Sequence, residues 1–181
     1  MDTAAKSEAI RRRKQEYALS LAVLGLAGAG IVALATRASS PVDPRLLVKP
    51  MLAMFGLTAA VLLFLFVWRN VFIATGRASA NFYLDYQSNP PAEWIERPSR
   101  VFNNLMQAPT LFYVVALLMM VTPWADGVEV ELAWIFVGLR TLHAAIYLAL
   151  NRLPWRGASY ALSVVALCAM WARYALAAPL I

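Results

Sequence analysis

The chain has one cysteine and one histidine among its 181 residues. A lone thiol, Cys168, excludes an intrachain disulfide, so this is no disulfide scaffold. Charge is scarce as well: 14% of residues, against roughly 25% in a soluble domain. None of the acids falls inside the long apolar runs. With one histidine, one cysteine and no acid there, the ligands for an intramembrane metal site are missing. What is present in excess is apolar: AVILMFWYC make up 61%. A sphere of this size cannot hide that much apolar surface from water, so part of its solvent is lipid. A soluble globular enzyme and a disordered chain are both excluded. The net charge of +6 sits beside apolar runs without any nucleic-acid-binding pattern. It reads as membrane topology and attraction to anionic membrane lipids, with no nucleic acid as partner.

The runs divide the chain into five spans. Residues 1–16 are polar and basic, with Arg11, Arg12, Arg13 and Lys14 in a row. Tyr17–Ala35 carries no charge. A cleavable signal core is usually about 7–15 residues and a spanning helix about 20. Residues 17–36 therefore read as a retained transmembrane helix, with cleavage as the alternative. Further spans are expected over Pro50–Val67, Asn104–Val121, Leu132–Leu150 and Gly157–Ala177. A polar stretch, 74–103, holds the turn signal Asn89-Pro90-Pro91, and a short basic turn, Asn151–Arg156, holds Pro154. The fold class is an all-α integral membrane protein. Five spans place the N-terminus, the 74–103 stretch and the 151–156 turn on one side. Eleven Lys/Arg lie on that side and four on the other, which favours a cytoplasmic N-terminus.

Polar residues recur down the fourth span: Arg140, His143, Tyr147 and Asn151. At about 100° per residue they fall within roughly 80° of one another. An arginine inside a span costs several kcal/mol unless it finds water, a partner or a ligand (about 3 on insertion scales). Two readings are open. Arg140 is a structural residue bonded to Asn104, Gln107 and backbone carbonyls, or it belongs to a site for a carboxylate or phosphate. Asn104 and Gln107 lie three apart at the start of the third span, and either cap it or line a pocket. Tyr160 follows Arg156 near the start of the fifth span; it is an interfacial aromatic or, with Arg156, a stabiliser of an anion such as a thiolate. A channel or transporter is disfavoured by a single intramembrane charge and no internal repeat.

The string Arg140-Thr-Leu-His143-Ala-Ala-Ile-Tyr147, continued by Arg152-x-Pro154-x-Arg156-Gly157-x-x-Tyr160, resembles the MAPEG family, the membrane-associated proteins in eicosanoid and glutathione metabolism. Pro50-Met-Leu-Ala-Met54 and Asn104-Leu-Met-Gln107-Ala-Pro109-x-Leu-Phe112-Tyr113 are similar to its short bacterial members. The resemblance covers about residues 47–178 and leaves 17–36 as an additional helix. It implies a four-helix protomer, a homotrimer, and glutathione bound between protomers. By position Arg69, Arg100, Asn104, Gln107, Arg140, His143, Tyr147, Arg156 and Tyr160 would surround that peptide. Arg156 would stabilise the thiolate, and Tyr147 would share the catalytic role while helping Arg140 hold the peptide. The implied activity is a glutathione-dependent transferase or peroxidase acting on hydrophobic small molecules, electrophiles or lipid hydroperoxides, in a bacterial inner membrane. The alternative is a non-catalytic protein of the same fold that binds lipid or supports a partner complex. Two departures favour that alternative: Gln107 stands where the family usually has Glu, and Gly157 where its prostaglandin E synthases have Ser.

Overall fold

The structure, a computed structural model, describes residues 3–177. The first two residues of the basic 1–16 segment and residue 178 of the 47–178 bundle lie outside them. Every long apolar run is helical: α1 (Thr3–Ala35), α2 (Val48–Ala74), α4 (Glu93–Val121), α5 (Gly127–Ala145) and α6 (Leu153–Ala177), with a short α3 (Phe82–Asp85) between α2 and α4. All five long helices have the length and apolarity to cross a bilayer. Helices are the local solution in lipid, because each span then satisfies its own backbone hydrogen bonds.

The helices run past the spans read from the sequence. The residues before Tyr17 contain neither glycine nor proline and are rich in Ala, Glu, Lys and Arg, so α1 extends back through them to Thr3. α4 starts at Glu93, immediately after the Pro90-Pro91 turn, and continues through Pro98 and Pro109. Each of those prolines gives up one ladder hydrogen bond. α6 starts at Leu153 and carries Pro154 in its first turn, where a missing N–H costs nothing.

α5 and α6 pack together, α1 lies against α6, and α2 lies against α4. Phe112 and Phe136 stack at 4.8 Å in the centre, with Leu105, Met119, Leu132 and Met170 around them. Leu52, Phe55, Leu63 and Phe66 of α2 are each more than 60% exposed. A row of large apolar side chains left outside is the surface of a protein solvated by lipid.

The two ends of the bundle are tied differently. At one end the loop after α1 pairs with the loop before α5, through a Pro41–Asp126 bridge and Val42 N–H donating to Ala125 O at 3.1 Å. A Cβ on Gly127 would stand 3.0 Å from Ser39 Oγ, so this close approach suits glycine. Arg173 of α6 donates to Asp126, to Glu129 at 3.0 Å and to the carbonyl of Ala35, fastening α1, α5 and α6 together. At the other end Arg152 pairs with Glu16 at 2.8 Å and Asn151 donates to Glu93 at 3.3 Å. The start of the first span, the 74–103 stretch and the 151–156 turn thus meet at one end, as the span count requires.

Candidate functional site

α5 does not end as a regular helix. A π turn, Ile146–Leu150, follows it and closes on Asn151 in the left-handed region, φ 47°. The wider turn presents Tyr147 and Asn151 to the start of α6, a use to which such turns are often put. Arg156 answers from α6. Its Nη1 donates to Asn151 Oδ1 at 2.7 Å, and its Cζ lies 4.0 Å over the Tyr147 ring. Its backbone carbonyl accepts from His143 Nδ1 at 2.9 Å. A carbonyl can only accept, so Nδ1 carries the hydrogen and a neutral His143 keeps a lone pair at Nε2. That Nε2 is buried and has no partner among the described residues.

Arg140 lies one turn behind His143 and has no exposed surface. Its guanidinium stands 4.8 Å from the Tyr160 ring and 5.5 Å from Phe136. Its three guanidinium nitrogens have no hydrogen-bond partner among the described residues. The reading that bonds Arg140 to Asn104 and Gln107 is therefore overturned. Asn104 donates to the carbonyl of Arg100 at 2.9 Å, one turn back on its own helix. Gln107 opens onto a different groove. The two aromatic faces supply the one favourable contact, and cation–π attraction of about 1–2 kcal/mol does not replace a hydration shell.

Asn104, His143, Tyr147, Leu153, Arg156, Gly157 and Tyr160 line one pocket of about 280 Å³. It gathers five of the nine site residues expected from the sequence, from α4, α5 and α6. Among the described residues, no carboxylate is in its walls. The nearest acid tied to it, Glu93, bonds Asn151 at the rim and is itself paired with Arg97 at 2.9 Å. Arg140 does not line the pocket but stands behind Tyr160, so its charge acts through a layer one ring thick.

The other three residues lie elsewhere. Arg100 is exposed. Arg69 donates to Ser99 Oγ at 3.0 Å and lies 4.2 Å from the Tyr83 ring. Tyr83 in turn donates to Glu96 at 2.8 Å, and burial, with the Glu96 carboxylate beside it, pushes its phenol up to about 12. Gln107 lines an apolar groove of about 530 Å³ between α4 and α6, with Leu111, Val164 and Trp171. Tyr160 belongs to both pocket and groove and forms the wall between them. Sequence reasoning missed Asn151 as the anchor of Arg156, although it placed Asn151 on the stripe. It missed Tyr83 altogether, since the aromatic that meets Arg69 lies beyond a loop of no regular pattern.

The family model of MAPEG matches residues 52–176. No curated protein and no solved structure matches the chain. The matched segment takes in nearly all of α2 and α6 and the whole of α4 and α5, every helix that builds the pocket, and it leaves α1 outside. An all-helical membrane bundle with that segment at its core belongs to the MAPEG family.

Proposed function

We propose that this protein is a glutathione-dependent membrane enzyme, a transferase or peroxidase for hydrophobic electrophiles or lipid hydroperoxides. The observation that carries the reading is the cationic pocket without a carboxylate, backed by an arginine that nothing neutralises. Glutathione, an anion that also carries N–H and S–H donors, suits this set: the Arg140 guanidinium and the part of the Arg156 fork not taken by Asn151 are cationic donors, and the unpartnered His143 Nε2 accepts. When bound, glutathione supplies a thiol that, once ionised, acts as nucleophile or reductant. Arg156, held over Tyr147 by Asn151, favours negative charge at the pocket's centre. Arg140 adds a permanent field from behind Tyr160, worth far more in this low-dielectric setting than in water. Asn104 and Tyr160 offer neutral hydrogen bonds that orient the peptide. The groove beyond Tyr160 gives an apolar reactant a route from the bilayer to the same wall.

In this reading the chain forms a homotrimer, and a neighbouring protomer completes the pocket on its open side. The pocket end faces the cytoplasm of a bacterial inner membrane, where the thiol is reduced. The test is titration of glutathione into the detergent-purified protein by calorimetry. Micromolar-to-millimolar binding that Arg140→Met abolishes supports the reading. Absence of binding leaves the other member of the pair proposed from the sequence, a non-catalytic pocket for another anion. Gln107 turned to the groove and Gly157 in the lining favour that second reading.

A further inference from the structure

α1 is outside the family segment, and its residues 6–15 are all exposed. Its 33 residues make a rod of about 50 Å, while a hydrocarbon core is about 30 Å. With Tyr17–Ala35 filling that core, Arg13 and Lys14 stand about 5–6 Å beyond it, inside a headgroup layer about 5–8 Å deep.

The stalk before Tyr17 is polarised around its axis. Glu8, Arg12 and Glu16 share one face at four-residue spacing. There Arg12 pairs with Glu8 at 2.5 Å and Glu16 with Arg152 at 2.8 Å. The adjoining face carries Lys6, Arg13 and Lys14 with Ile10, Tyr17 and Leu21, all exposed. None of these three cations has a side-chain partner among the described residues. An apolar track leading into the bilayer, with unpaired cations at headgroup depth, is complementary to one class of molecule. We infer that this face of α1 is a binding site for an anionic phospholipid, whose phosphate meets Arg13 and Lys14 and whose acyl chain lies over Tyr17 and Leu21.

The inference is independent of glutathione binding and is tested without it. The full-length protein is delipidated in detergent and titrated with phosphatidylglycerol or phosphatidylcholine, and bound lipid is counted by native mass spectrometry. Phosphatidylglycerol should be preferred, and the preference should fall as ionic strength rises. Arg13→Gln with Lys14→Gln should cut it about 25-fold, about fivefold per cation. Arg12→Gln, on the paired face, should change it by less than either single variant. An unchanged preference in the double variant overturns the site. An Arg12→Gln loss as large as that of Arg13→Gln also overturns it, because the effect is then a diffuse field with no site. So does displacement of the lipid by equimolar glycerol phosphate, which would make the ligand a soluble anion. All substituted residues are exposed, and circular dichroism of each variant should match the parent.

Discussion

Two arginines on the packed helices α5 and α6 have opposite surroundings, Arg173 beside the Asp126 loop and Arg140 one turn from the pocket. Arg173, mostly buried, has two carboxylates and two backbone carbonyls. Arg140, wholly buried, has two aromatic faces and no hydrogen bond among the described residues. The same side chain is a fastening at one end and an uncompensated charge at the other. A charge that folding leaves unneutralised keeps its capacity to attract an anion, which is why the Arg140 end is the candidate site.

The comparison breaks most visibly at the clasp. Arg173→Met leaves Asp126 and Glu129 facing each other with no cation, and should cost about 3–5 kcal/mol of stability. Thermal unfolding in detergent checks it, and glutathione binding should survive in the protein that remains folded. Next in size is Arg156→Ala. Loss of an electrostatic donor at the reacting centre should lower turnover about 10²–10³-fold with little change in melting temperature. Undiminished turnover would remove Arg156 from the mechanism.

Arg140→Met sharpens the contrast by sign. Replacing an uncompensated buried charge with an apolar side chain of similar length should leave stability unchanged or raise it by about 1–4 kcal/mol. The same change should abolish glutathione binding. A destabilised Arg140→Met would mean that this arginine is as structural as Arg173. Gln107→Glu probes a smaller term. A carboxylate there should strengthen glutathione binding by about 1–2 kcal/mol if the groove residue reaches the peptide in the trimer. Unaltered affinity would place Gln107 outside the site. The smallest effect belongs to Tyr83. Its phenol ionises at about 12 in the fold and at 10.0 ordinarily, so the folded form holds the proton more tightly. The contribution of Tyr83 to stability should therefore be constant below pH 10 and decline as pH rises toward about 12. Tyr83→Phe should remove that alkaline decline.

Much of the site was legible because helical spacing is regular. Arg140 and His143 recur three residues apart on α5, and Tyr147 follows four residues on in the π turn. Asn104 arrives beside them from α4, and Arg156 and Tyr160 from α6. Gln107 stands apart from Asn104 in the single chain for a geometric reason. Its spacing from Asn104 puts both on one side of α4, but Tyr160 stands between the pocket and the groove and assigns them to different spaces. Arg69 and Arg100 were set beside the pocket by resemblance. In the single chain Arg69 is occupied by Ser99 and Tyr83, and a monomer does not bring either residue to the pocket's wall.

Five spanning helices, their order and the side on which each turn lies follow from the sequence alone. Apolar length against bilayer thickness is a local property, and backbone hydrogen bonds in lipid must close within each segment. The start of α1 was local too, set by helix propensity upstream of Tyr17, though hydropathy alone did not reveal it. Only the tertiary structure decided which arginine is neutralised. Asp126 lies 47 residues from Arg173, and no pattern along the chain reports that pairing. It also decided that α5 widens into a π turn, which sets Asn151 and Tyr147 around Arg156. Coulomb and cation–π energies depend on distance through space, and that distance exists only once the helices have packed.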